Sequence, residues 1–293
     1  MQLLSFLLIY PLLWLLSLLP MRALYVLSDG ACFVVYRVFG YRKAVVAGNI
    51  KLAFPEKSNE ERLVIEKRFF KHLTDLLFEF VKSLTISNKE MQRRMTFKNL
   101  EVIKTAYDNG QHVNLVCGHY GGWEWMFVLD QFIPHDSIAI YKKLNNPYFD
   151  RMVKRIRARY NTLLVPTNEA LAEISSRVEK KQLTFCAFNA DQSPNPNKAR
   201  HWRPFMGVET PVHTSAEMLA KKHHMAVIFL DIQKLKRGFY EARFELITDT
   251  PNHFKDYDIT DIFIEKLEKQ IKDEPAYYLW SHRRWKHRRE NYA

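Results

Sequence analysis

Hydrophobic and polar positions follow three different patterns along this chain. From Met1 to Met21 there is no charged residue, and residues 3–19 are almost wholly Leu, Ile, Phe, Trp and Tyr. Beyond that run the period becomes helical. Ser58-Asn59-Glu60-Glu61 is a capping box, and Phe69, Leu73, Leu76, Leu77, Phe80, Val81 and Leu84 then recur at the spacing of one helix face turned to a core. Further on, apolar runs at 113–117, 137–141, 162–165, 183–188, 226–231 and 240–247 read as strands. Amphipathic patterns at 148–159, 169–178, 215–223 and 261–272 read as helices. Strands alternating with helices predict an α/β fold, a mixed central sheet flanked by helices.

The first run predicts a hydrophobic helix of roughly 26 to 31 Å, against a bilayer hydrocarbon core of about 30 Å. It lacks a basic segment before it and a small-residue cleavage pattern after it, so an uncleaved anchor fits better than a removable signal peptide. Arg22, Arg37, Arg42 and Lys43 follow, which by the positive-inside rule puts the rest of the chain in the cytoplasm. Pro11 and the marginal length also allow a helix that dips into one leaflet, with the apolar stretch 31–39 beside it. The expected division is 1–21 as membrane anchor and 22–293 as a single α/β domain.

Charge narrows the range of partners. Forty-four Lys and Arg against 32 Asp and Glu give a formal net charge of +12 in 293 residues, which favours a polyanionic partner such as an anionic membrane face, an acidic carrier protein, a phosphorylated substrate or nucleic acid. Cys32, Cys117 and Cys186 are scattered in apolar settings, so neither a disulfide framework nor a metal site is expected. There is no internal repeat and no glycine-rich nucleotide loop, and glycine is only 9 of 293 residues; a nucleotide-driven reaction is disfavoured.

The candidate chemistry lies directly after the strand at 113–117, in Cys117-Gly118-His119-Tyr120-Gly121-Gly122-Trp123-Glu124-Trp125. On a regular helix His119 and Glu124 would point roughly 140° apart, so they converge only if a turn intervenes. Gly118, Gly121 and Gly122 supply it. His119 then sits at the carboxyl end of a strand, where open α/β sheets hold ligands. An imidazole there can take a proton from a hydroxyl while the carboxylate of Glu124 fixes its tautomer and stabilises the imidazolium. A rival reading makes Cys117 the nucleophile of a thioesterase. A membrane-tethered nucleic-acid binder would account for the charge but gives no reason for the His119 block.

Two further clusters belong to the same sheet edge. Asn189-Ala190-Asp191-Gln192-Ser193-Pro194 follows a strand, and His201-Trp202-Arg203-Pro204-Phe205-Met206-Gly207 reads as a polar loop after it, with Thr214-Ser215-Ala216-Glu217 capping the next helix. Tyr141 to Pro147, with Asn146, leads into a helix carrying Arg151, Lys154, Arg155, Arg157 and Arg159, whose guanidinium groups suit phosphate. The tail from Trp280 to Arg289 mixes aromatic and cationic groups that suit a headgroup interface.

Taken together these segments resemble the late acyltransferases of bacterial lipid A biosynthesis, relatives of the glycerolipid acyltransferases. The blocks are Arg42 with 49–56, Gly118 to Glu124, then Tyr141, Asn146, Pro147 and Asp150. They continue with Asp191-Gln192, Phe205, Gly207, Thr214 and Ala220, and end with 275–286. The resemblance implies transfer of a fatty acyl chain from an acyl-carrier-protein thioester, or acyl-CoA, to a hydroxyl of an anionic lipid A precursor. The setting implied is the cytoplasmic face of the inner membrane, with no metal, no other cofactor and no nucleic acid. The closest alternative keeps the chemistry and changes the acceptor to another glycolipid or an aminoacyl lipid. Carried over, His119 is the general base and Glu124 its partner. Arg157 or Arg159 holds acceptor phosphate or polarises the thioester carbonyl, and Asn146, Asp191, Gln192 and Arg203 belong to the substrate site. Lys142 stands where relatives commonly have Arg, and Met206 replaces a more usual aromatic residue.

Overall fold

The computed structural model describes residues 1–289. Ten α-helices are described: α1 (Gln2–Leu18), α2 (Met21–Phe33), α3 (Lys43–Ala53), α4 (Asn59–Lys82), α5 (Asn88–Arg94), α6 (Glu101–Asp108), α7 (Pro147–Arg157), α8 (Ala170–Glu179), α9 (Ser215–His223) and α10 (Asp258–Asp273). The strands are β1 (Met95–Lys98), β2 (Val113–Cys117), β3 (Asp136–Tyr141), β4 (Leu163–Pro166), β5 (Thr184–Asn189), β6 (His201–Phe205), β7 (Val208–Val212), β8 (Ala226–Lys236) and β9 (Phe239–Thr248). Seven of them form one sheet in the order β1-β9-β8-β2-β5-β3-β4. Neighbours in it are parallel except for the β8–β9 hairpin. The sheet is therefore mixed and flanked by helices, as the alternation predicts. β2 at its centre is buried at all five positions, which is why it reads as a continuous apolar run.

Local chemistry sets the boundaries. The α4 capping box forms: Ser58 Oγ accepts from the Glu61 amide at 3.2 Å, and Glu61 Oε2 accepts from the Ser58 amide at 2.7 Å. Asn146 caps α7, its Oδ1 accepting from the amides of Tyr148 and Phe149. Thr214, by contrast, makes no side-chain cap to α9. Glu217 reaches instead to the start of α10, accepting from the amides of Tyr257 and Thr260. Residues 201–207, expected as a loop, fold into the antiparallel β6–β7 hairpin.

No single helix among the described residues is long and apolar enough to cross a membrane. Met21–Val38 and Lys43–Ala53 meet the length and composition test only as a pair bent by 89°. The 17-residue α1 lies against α4 and α7. Lys82 Nζ and the Thr85 hydroxyl donate to the Ser17 carbonyl at 2.8 and 2.6 Å, and the Phe6 ring meets Tyr148 and Phe149. Leu4, Leu8, Leu12 and Leu15 of α1 are exposed, and so are Val26, Phe33, Val38 and Phe39.

In the carboxyl-terminal aromatic and cationic segment both tryptophans and Arg284 are core, while Arg283, Lys286 and Arg289 are exposed. Trp280, Arg284 and Trp285 are 0%, 1% and 4% exposed. Trp280 and Trp285 stack at 6.1 Å, and the Arg284 guanidinium lies 4.9 Å over the Phe205 ring. Arg42 and Asn49 tie this strap down, donating to the carbonyls of Ser281, and of Trp280 and His282. Two distant sequence blocks thus meet for a structural reason.

Candidate active site

The turn after β2 is built for close approach. A Cβ on Gly118 would lie 2.6 Å from Leu267 Cδ1, and one on Gly122 would lie 2.6 Å from the Tyr240 ring. Gly121 has φ +59°, a left-handed conformation that costs glycine little. The carboxyl-terminal strap holds the turn from the other side: the Gly121 amide donates to Tyr277 O at 3.1 Å and the Leu279 amide to His119 O at 3.1 Å. His119 is therefore fixed at both faces, with its side chain 18% exposed.

The partner of His119 comes from the neighbouring strand. β2 and β5 pair in parallel with Cys117 opposite Asn189, so continuing both chains two residues sets His119 beside Asp191. His119 Nδ1 and Asp191 Oδ1 are 2.7 Å apart. Asp191 is 1% exposed. On the other ring edge, Nε2 has the amide nitrogens of Asn189 and Gln192 each at 3.4 Å, and Trp123 packs edge-on at 5.6 Å. Burial pulls the His119 pKa down, but the Asp191 carboxylate, through charge and hydrogen bond, and Glu124 through charge outweigh it, so the net direction is up. For Asp191, burial raises and His119 lowers, with a net direction down. Both directions describe one buried imidazole–carboxylate pair with Nδ1 protonated and Nε2 facing the cleft.

Here the structure corrects the sequence reading. Glu124 makes no hydrogen bond to His119; its two oxygens accept from Arg157 Nε at 3.2 Å and Nη2 at 2.6 Å. The segment Trp123–Gln131 is a 3₁₀ helix rather than an α-helix, and its narrower turn directs Glu124 to α7. Arg157 reaches the cleft but in this fork-to-fork pair, while Arg159 turns away and donates to Ile86 O at 2.6 Å. Asn146 is a helix cap that also donates to Gln2 O. Arg203 pairs with Asp261 and Glu265 on α10. Asn146, Arg159 and Arg203 therefore lie outside the cleft, whereas His119, Glu124, Arg157 and Gln192 line it. Cys117 lines it too, but its thiol donates to Asn189 Oδ1 and burial pushes its pKa well up, which is the opposite of an activated nucleophile.

The cleft has a volume of about 630 Å³ and runs from this pair between α4 and the face of the sheet, walled by Leu73, Leu76, Phe80, Met126, Phe127 and Phe185. Among the described residues no group of three or more His, Cys, Asp or Glu converges to hold a metal ion. The arrangement can accept a proton at Nε2 from a hydroxyl delivered to the mouth of an apolar channel.

Comparison with known proteins gives a consistent result. The family model for the bacterial lipid A biosynthesis acyltransferase matches residues 2–287. The chain is 23% identical over 277 residues to the lipid A biosynthesis palmitoleoyltransferase of Escherichia coli (strain K12), covering 94% of this chain and 89% of that one. It is 24% identical over 281 residues to the lipid A biosynthesis lauroyltransferase of the same organism, covering 95% and 90%. A lipid A biosynthesis acyltransferase of Shigella flexneri is 23% identical over 277 residues.

Proposed function

From the premise that the chain belongs to the bacterial lipid A biosynthesis acyltransferase family, and is an acyltransferase, we propose that it transfers a fatty acyl chain from an acyl-carrier-protein thioester to a hydroxyl of an anionic lipid A precursor. The acyl chain lies in the apolar cleft with its thioester carbonyl at the mouth. His119 Nε2 removes the proton of the acceptor hydroxyl as that oxygen bonds to the carbonyl carbon. Asp191 keeps Nδ1 protonated and stabilises the imidazolium. The side-chain amides of Gln192 and Asn189, each 3.4 Å from Nε2, supply donors for the oxyanion. Collapse breaks the carbon–sulfur bond, and the imidazolium returns its proton to the leaving thiolate. Atoms and charge balance without a cofactor.

Glu124 serves by fixing Arg157, which lines the cleft. The exposed apolar flank of α1 and α2 supports docking on the cytoplasmic face of the inner membrane, and the formal charge of +12 supports encounter with an acidic carrier and a phosphorylated acceptor. The observation that carries the reading is the buried His119–Asp191 pair at the open end of an apolar cleft. The test incubates purified enzyme and inner-membrane lipid with acyl thioesters and identifies the new ester by mass spectrometry. His119→Ala is expected to lose roughly 10²- to 10⁴-fold in rate. Full activity in that variant overturns the mechanism, and products that include no lipid A species overturn the acceptor.

A further inference from the structure

The apolar cleft does not end in hydrocarbon. Ser137, Thr162 and Asp130 also line it; strand register puts Ser137 and Thr162 in one layer, and a hydrogen bond joins Asp130 to it. Ser137 lies opposite Phe185, four residues upstream of the Asn189–Cys117 layer that begins the active site. Thr162 immediately precedes β4, whose Leu163 pairs with Ile138, so Thr162 falls beside Ser137. The Thr162 hydroxyl donates to Asp130, and Ser137 and Thr162 are 8% and 5% exposed. Burial pushes the Asp130 carboxyl up to about 6, partly offset by the hydroxyls beside it; Thr162 makes the hydrogen bond, while the buried Ser137 hydroxyl has no partner.

Two independent rulers give the depth. Four residues of strand span about 13 Å. The six residues of 3₁₀ helix from Glu124 to Asp130 span about 12 Å. Between the ends the wall is hydrocarbon, so each methylene of a longer chain gains by burial until the tail meets the polar layer. There the next methylene separates Asp130 from the Thr162 hydroxyl or leaves the Ser137 hydroxyl buried against hydrocarbon.

We propose that the Asp130–Thr162–Ser137 layer is the chain-length gauge of this enzyme, a polar floor against which the ω-end of the bound acyl chain stops. The inference rests on the acyl-transfer reading above and adds the feature that selects among donors. A depth of about 12 to 13 Å, from the rise per residue of strand and 3₁₀ helix, corresponds to roughly ten C–C bonds of an extended chain. With the carbonyl carbon held at His119, the preferred donor has about a dozen carbons.

The experiment measures kcat/KM for saturated acyl thioesters of increasing length on the full chain. Wild type is expected to gain about fourfold per methylene up to an optimum and to fall about tenfold or more for the donor two carbons longer. Asp130→Asn, which keeps size and polarity, retains that optimum. Asp130→Ala combined with Thr162→Val moves the optimum about two carbons longer. An unchanged length profile in the double variant overturns the gauge.

A second measurement needs no variant. On wild type, an ω-hydroxyacyl donor of optimum length should be used within about threefold of the plain donor, because its hydroxyl meets polar partners. A hydrocarbon floor would discriminate against it by roughly a hundredfold, and that result overturns the proposal. Failure of the underlying reading looks different: no acyl ester forms from any donor, or ester formation is indifferent to His119→Ala.

Discussion

Asp191→Asn is the most direct probe of the site, because it removes one charge from a pair whose geometry is defined. Asp191 Oδ1 lies 2.7 Å from His119 Nδ1, with the two side chains 2% and 18% exposed. With charge centres roughly 4 Å apart and an effective dielectric of about 20, the carboxylate stabilises an imidazolium by about 4 kcal/mol. That term exists only once His119 has accepted the proton. It belongs to the transition state, and its loss amounts to roughly 10³-fold in kcat. The asparagine amide can also donate to Nδ1, which holds the proton on the wrong nitrogen and adds to the loss.

The pH profile gives an independent signature. The base must be neutral, so kcat/KM rises with pH as His119 loses its proton. Burial lowers the His119 pKa, but Asp191 more than compensates, leaving the net direction up from 6.5, and the acidic limb in wild type therefore lies above that value. In Asp191→Asn the largest raising influence, the charge and hydrogen bond of Asp191, is lost while burial and Arg157 still lower the pKa against Glu124 alone, so the limb moves to lower pH while the plateau drops. The assay is initial-rate ester formation followed by mass spectrometry from acidic to alkaline pH, with thermal unfolding as the control for folding. A folded Asp191→Asn enzyme within threefold of wild type, or one whose limb does not move, refutes the reasoning.

Glu124 and Arg157 act as a unit. Glu124→Gln and Arg157→Lys should each cost about ten- to a hundredfold, and the double variant little more, in a double-mutant cycle. Independent, multiplying losses would show that the fork-to-fork pair is not the functional element. Cys117→Ala should leave activity within a few fold, since the thiol is buried and protonated; abolished turnover in a folded variant would restore the cysteine nucleophile. Gly122→Ala drives a Cβ against the Tyr240 ring and should destabilise by about 1 to 3 kcal/mol, read as a lower Tm. Glu79 is buried between the hydroxyls of Tyr25 and Tyr240 at 2.8 Å each, and burial pushes its carboxyl up from 4.5 to about 7. The native state therefore binds more protons than the unfolded one across that window, and its stability declines as pH rises through it, then levels off. Glu79→Gln should flatten that decline, and an unaltered Tm–pH curve would reject the assignment.

The sequence made the centre of the sheet legible because β2, β5 and the first half of β8 are short apolar runs. It hid β1 and the β6–β7 hairpin, whose half-exposed residues mix polar and apolar without a clean period. The His119 turn was readable from its glycines. The partner was not, because local spacing favours Glu124, five residues away, whereas Asp191 becomes adjacent only when β2 and β5 pair with a 72-residue offset. That register was the available signal: two polar motifs, each directly following a buried strand. The tail misled for a physical reason as well. Arg284 reads as a surface cation, yet its guanidinium is buried over Phe205 and donates to Thr210 at 2.9 Å, a contact that requires the hairpin the sequence did not reveal.

The two faces of α4 explain how an apolar amino-terminal cap and an apolar cleft are joined through one helix. Leu73, Leu76, Leu77 and Phe80 recur at helical spacing along one stripe and wall the cleft. Asp75 and Glu79, one turn apart on another stripe, bind α2 and the β8–β9 hairpin. Ser28 donates to Asp75 at 2.8 Å, Arg237 pairs with both Asp75 and Asp29, and Tyr25 and Tyr240 share Glu79. Such charged contacts are costly to bury unless fully paired, so they fix one orientation of α2 where apolar packing alone would tolerate several. The third attachment is Lys82, which holds the end of α1 through the Ser17 and Leu19 carbonyls. Under the proposed reading, a surface docked through α1 and α2 therefore cannot tilt without carrying the cleft with it. The acceptor hydroxyl then arrives at a depth set by the helices rather than by diffusion within an open site.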